Sequence, residues 1–342
     1  MAPLLLHERW FVSGEDYPLQ WDAVTDPATL AAIGTAVAFT GVVGFAWRFF
    51  GARPVVPGPL ALGATRDQLA VVYGWIPLML AIHTAVPLLV AGVQNQLLVP
   101  NLEMGMGAGI GVGLAEVGVA LLLFYGVFSR YAALGLAAIW AVGVALFGPV
   151  LLLEHVFFLG IAAFFWIAGR GPIAIDRIFG HWAHARERGL SLAVPILRVT
   201  VGFSIAWLAL SEKLLNLPLA LAFVEAFPFV NFLPALGLEV SDAAFLRMAG
   251  TVELTAGLLL MVGAFPRVVI LLLWLPFNLT LTAFGWQELV GHLPIYAIMA
   301  LILLWGPGGK EDEAAFHAGL TPVRGKPTER ERLEEERGDR LG

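Results

Sequence analysis

The stretch EVGVALLLFYGVFSR at residues 116–130 returns as ELTAGLLLMVGAFPR at residues 253–267, an offset of 137 residues with no gap. From Glu116 to His155, 13 of 40 positions are identical to those 137 residues further on. Leucines inflate such a count. Hydrophobicity does not explain why Glu116, Gly126, Arg130, Gly148 and His155 fall on Glu253, Gly263, Arg267, Gly285 and His292. Phe128 and Phe147 fall likewise on Phe265 and Phe284, and Gly169 and Gly171 carry the match on to Gly306 and Gly308. The chain reads as two copies of one unit.

Working outward, 59% of the 342 residues are hydrophobic and 13% charged, against roughly half and a quarter in ordinary soluble domains. That is the composition of a polytopic membrane protein. Apolar runs near 20 residues mark spans and predict helices over 29–47, 70–93, 107–127, 132–149, 155–168, 195–211, 247–265, 268–285 and 290–305. The expected fold is therefore all-α, with nine transmembrane helices: one extra N-terminal helix and two four-helix bundle repeats, 70–180 and 195–309. Four helices is an even number, so the second copy starts on the same side as the first and the repeats are parallel. Residues 1–50 supply an outer aromatic segment and the extra helix; 51–69, with Pro54, Pro57 and Pro59, and 181–194 read as inner linkers, and 310–342 as a charged inner tail. With the N-terminus outside and the C-terminus inside, 17 of the 20 Lys and Arg residues lie inside, leaving Arg9, Lys213 and Arg247 on or near the outer side. This is the positive-inside asymmetry, and an eight-helix arrangement loses it.

The first 27 residues carry no basic region followed by an apolar stretch and a cleavage site, so they do not read as a signal peptide. Trp10, Phe11, Tyr17 and Trp21 alternate with Glu8, Glu15, Asp16 and Asp22, which reads either as an interfacial collar or as a segment that docks a partner. Nine of the 26 acidic residues sit in the last 33, so the tail is expected to be solvated, with a charged stretch from Glu329 to Arg340. The lipid bilayer is the expected partner, and nucleic acid is not. There is no cysteine. That excludes thiolate catalysis, disulfide exchange and cysteine-held zinc or iron-sulfur sites in this chain, so any redox chemistry comes from a bound group or a partner.

Carboxylates inside apolar spans are costly unless paired, protonated or facing a polar cavity, which singles out Glu116 and Glu253. Each reads either as a helix-helix hydrogen-bonding group or as a functional one. In the second copy the helix ending at Ser211-Glu212-Lys213, the helix carrying Glu253 and the helix opening near His292 all approach the outer leaflet, placing Lys213, Glu253 and His292 in one expected cluster. In the first copy nothing matches Lys213, and His83 lies at mid-membrane. That site is either lost or changed to a His83/Glu116 pair. His155, like His292, opens the last helix of its unit and reads as an interfacial hydrogen-bonding residue or as a ligand or proton carrier. Arg130 and Arg267 read as headgroup-level residues beside turn glycines.

The second copy resembles the DoxX/DoxD family of four-helix membrane proteins, on Leu197-Arg198 through Gly202-Phe203, Ser211-Glu212-Lys213-Leu214, Glu253 through Gly263, Arg267 and Gly306-Pro-Gly-Gly309. The first copy shares the block from Glu116 to Arg130 and closes on Gly169-Arg-Gly-Pro172 through Asp176-Arg177. It departs in lacking the lysine, and the chain departs in its extra helix and the fusion of two units. The resemblance covers about residues 66–309 and implies a bacterial or archaeal plasma-membrane protein. DoxD-type members are membrane subunits of a thiosulfate:quinone oxidoreductase, and other members partner soluble redox enzymes. It therefore implies a quinone and a soluble or membrane redox partner, with Lys213, Glu253 and His292 as the candidate catalytic set. The other readings are a membrane scaffold or anchor and, last, a small-solute carrier.

Overall fold

The computed structural model describes residues 8–12, 17–179 and 189–320. They are helical throughout apart from turns and loops, in the order α1 (Pro27–Phe49), α2 (Arg66–Val93), α3 (Met106–Tyr125), α4 (Ser129–Phe147), α5 (Pro149–Leu153), α6 (Phe157–Ala168), α7 (Ala193–Leu208), α8 (Leu217–Ala226), α9 (Asp242–Val262), α10 (Pro266–Phe284), α11 (Trp286–Trp305) and α12 (Lys310–Leu320). Among the described residues eight helices are long and apolar enough to cross a membrane. Their outward faces carry exposed Val42 and Phe45, Leu114, Leu272 and Leu275, while the charged residues Glu116, Glu212 and Glu253 are buried. Apolar outside and charged inside suits hydrocarbon and not water. The chain is a multi-pass membrane protein.

Local chemistry sets the ends. Asp26 caps α1, its carboxylate accepting the Thr29 amide at 2.9 Å with Pro27 at the first helical position. Thr65 and Gln68 form a reciprocal capping box on α2. Gly126 and Gly263 end α3 and α9 in the left-handed conformation that releases a helix into a turn. These ends recur at the offset found in the sequence: α4 and α10 begin 137 residues apart and end 137 apart, after Phe128 and Phe265, which share a φ of 49°.

The predicted span 155–168 differs in form. α6 covers Phe157–Ala168, and α5 precedes it across a turn at Glu154–Val156. Together they occupy 149–168, which is 286–305 shifted by 137, the range of the unbroken α11. α5 and α8 are not foreseen, because five and ten residues are too short for a hydropathy window. The tail differs too. Its first turns form α12, which packs on α2 through buried Ala315, Phe316 and Leu320. The stretch 329–340 lies outside the described residues.

Helices α2 and α3 meet where the Gly92 and Gly113 backbones touch, and α7 and α9 meet at Gly202 and Gly257. α1 lies along α9. Helices distant in sequence also meet: α6 packs against α7, the Phe157 amide donating to Ser204 Oγ at 3.1 Å, and α11 packs against α2. Arg170 and Arg267, at the same end of the molecule, cap helix C-termini. Arg170 donates to the Leu123 and Phe124 carbonyls and Arg267 to those of Leu303 and Leu304. Arg267 is thus buried against backbone carbonyls.

Candidate functional site

At the end opposite Arg267, α7 does not finish as an α-helix. Ala209–Leu214 form a π-helical segment, a geometry that recurs at functional sites. Its wider turn brings the consecutive side chains Ser211, Glu212 and Lys213 all inside the protein. Lys213 Nζ lies 3.1 Å from Glu253 Oε2 on α9 and 3.4 Å from Glu8 Oε1. Two of the three residues predicted to cluster are therefore paired.

The N-terminal segment completes the cluster. The Glu8 amide donates to Glu212 Oε2 at 2.7 Å. Arg9 pairs with Glu154 in the turn between α5 and α6 and donates to the Ser211 carbonyl at 3.2 Å, while Ser211 Oγ donates to Glu154 Oε1 at 2.7 Å. Glu8, Arg9 and Trp10 are all buried. Trp10 is therefore not a collar residue, while Trp21 is 59% exposed. Burial lifts the Glu8 carboxyl above the ordinary glutamate range; Lys213 opposes the rise, and Glu212 and Glu253 add to it. The Tyr17 carbonyl accepts from Asn216 Nδ2, and the Gln20 amide donates to the Leu215 carbonyl, both at 2.9 Å, which holds the segment down.

His292 stands at the rim of this cluster. Its Nδ1 is 3.0 Å from the Glu288 carbonyl and 3.4 Å from Glu288 Oε1, and its ring lies 4.9 Å from Trp10 and 4.8 Å from Phe277. A side chain at Gly291 would collide with the Trp10 ring, so this glycine makes the notch that receives it. His155 is buried within electrostatic reach of Arg9 and His292. The histidines of the two copies thus converge on one site. The other first-copy candidates stand apart: Glu116 Oε1 accepts the Leu98 amide at 2.7 Å, and His83 Nδ1 lies 2.8 Å from the Met79 carbonyl of its own helix. No His83–Glu116 contact occurs among these bonds, and Glu116 serves the loop after α2.

Sequence reasoning missed Glu8, Arg9, Glu154, Glu212 and Glu288. Glu154 falls opposite Gly291 and Glu288 opposite Leu151 at the 137-residue offset, so a search for duplicated charges passes over both. The signal that was available is Glu154 itself, an acid directly before the duplicated His155 in an apolar run.

Above the cluster opens a cleft of about 970 Å³. Its walls combine the rings of Trp10, Phe147 and Trp286 with the amides of Gln94, Asn101 and Gln287, and Arg9 and Trp10 belong to both the cleft and the cluster beneath. No grouping of His, Asp or Glu among the described residues suits a metal ion. No protein-family model, no curated protein and no solved structure matches the chain.

Proposed function

We propose that this protein is a DoxX/DoxD-like membrane subunit that interacts with a quinone and works with a redox partner. The observation that carries the reading is an aromatic and amide-lined cleft whose floor, Arg9 and Trp10, covers a buried set of carboxylates and Lys213. A quinone ring is flat, apolar on its faces and hydrogen-bond accepting at two carbonyls, which suits rings such as Trp10 and Trp286 with donors such as Gln94 and Gln287. Reduction to the quinol takes two electrons and two protons. The electrons come from the partner's redox group, since this chain has no thiol, and Glu253 with its neighbours supplies the protons. Lys213, Glu253 and His292 are buried, so in this reading they act through proton supply and the ring sits above Trp10.

The proposal includes the topology. α5, the turn and α6 together make a ninth crossing, the helices run as one plus four plus four in parallel repeats, and the N-terminus is outside. Arginine capping of helix ends at the Arg267 end agrees with a basic inner side.

The test is purification in mild detergent, quinone extraction, and quenching of tryptophan fluorescence by a short-chain quinone. The expected result is bound quinone and quenching that weakens in Gln287→Ala. No bound quinone, no quenching and no quinone-dependent turnover with candidate partners sinks the reading. The scaffold alternative draws on the charged stretch from Glu329 to Arg340 that follows α12 in the sequence. Deleting 321–342 is its cleaner test, because α12 packs on α2 and deleting from 310 removes buried Phe316. If the shorter deletion leaves every co-purifying protein in place, the anchor reading loses its support.

A further inference from the structure

One buried compartment holds Glu8, Glu154, Glu212 and Glu253 together with the basic side chains of Arg9 and Lys213. Arg9 pairs with Glu154, and Lys213 lies between Glu253 and Glu8. Glu212 has no cation within ion-pair distance among the described residues; its Oε2 takes the Glu8 amide, and its Oε1 is buried with no hydrogen-bond partner. Glu8 Oε2 and Glu154 Oε2 are in the same condition. All four carboxylates are 99% buried or more.

Ionised carboxylates without partners do not persist in such a setting; they are neutralised by a cation or by a proton. The described residues offer no metal-holding group. A proton meets both needs. It removes a charge, and it turns an acceptor-only oxygen into a donor that a neighbouring carboxylate can accept.

The surroundings supply little else. On α11, Glu288 is engaged with His292, and His155 joins from the turn before α6. Asp26 and Arg247 lie 3.5 Å apart and serve each other. α8 contributes Glu225, which is exposed. Among the described residues, two of the four negative charges thus have no cation.

We propose that this compartment is a proton-binding site, holding two exchangeable protons at neutral pH among Glu8, Glu154, Glu212 and Glu253, and that Arg9 and Trp10 are the seal through which they exchange with the cleft. The seal follows from placement. Arg9 and Trp10 line the cleft on one side, and on the other they touch Glu154, the Ser211 carbonyl and His292. The site needs no quinone, so it stands or falls apart from the reading above.

The test is infrared spectroscopy of the full chain in liposomes, reading the carbonyl stretch of protonated carboxyl groups. E116Q and E288Q together remove the two other buried glutamates. In that double variant the band is expected at neutral pH, to weaken when E212Q is added, and to vanish at high pH. No band at neutral pH overturns the proposal. If the double variant does not fold, a wild-type band that weakens in E212Q alone supports the site, and a wild-type band that E212Q leaves unchanged overturns it. In W10A the deuterium shift of the band is expected about tenfold faster or more, as for a lowered local-opening barrier. An unchanged rate overturns the seal.

Discussion

Lys213 owes its position to a single π-helical turn, and its charge is what keeps Glu253 and Glu8 together in a buried setting. Lys213→Met leaves those carboxylates without their cation, an exchange that costs about 3–5 kcal/mol when a buried pair is broken on one side. A clear fall in melting temperature in detergent is expected, with part of the loss recovered in the Lys213→Met, Glu253→Gln double variant. Equal losses in single and double variants would show that the pair is not coupled. Glu8 gives a pH signature. Its folded value lies above the unfolded 4.5, mainly through burial, so the folded chain holds the proton longer. That contribution is complete below 4.5 and is lost as pH rises toward the folded value. Glu8→Gln should therefore flatten the decline of thermal stability across that window, and an unchanged slope would contradict it. At this scale the sequence disclosed Lys213 and Glu253 because charges stand out in apolar spans. It did not disclose Glu8 and Arg9, because a charged pair near an N-terminus looks the same whether solvated or inserted.

At the scale of the elements, helix contacts rest on backbone approach. A Cβ on Gly257 would lie 2.5 Å from the Gly202 carbonyl oxygen, whereas one on Gly41 would meet nothing within 4 Å. Gly257→Ala is expected to cost about 1–3 kcal/mol by overpacking, while Gly41→Ala is neutral or gains up to about 1 kcal/mol of helix preference. Parallel thermal melts of the two variants decide it; equal effects would contradict the close approach. The long helices were legible because an apolar run of the needed length and a glycine at its end are both local signals. The break between α5 and α6 was not. Glu154 and His155 turn the chain there, and the polar partners that make a turn acceptable at that depth come from Arg9 and Ser211, remote in sequence.

On the scale of the whole molecule, α6 packs on α7 and α11 packs on α2, so helices far apart in sequence interlock. Sidedness is testable with the native chain as background, because it has no cysteine. Trp21→Cys and Val55→Cys occupy exposed positions before and after α1. With the N-terminus outside, an impermeant maleimide labels the first in sealed right-side-out vesicles and the second only after permeabilisation. The reverse pattern overturns the orientation. Composition, span lengths, turn glycines and the 137-residue repeat are properties of short windows, so the sequence alone determined a membrane protein of long helices and where most of them begin and end. Which charges share a compartment was decided only by the tertiary structure. Glu8 meets Glu212 across 204 residues of chain and Arg9 meets Glu154 across 145, and the desolvation that governs those groups exists only once helices remote in sequence have closed around them.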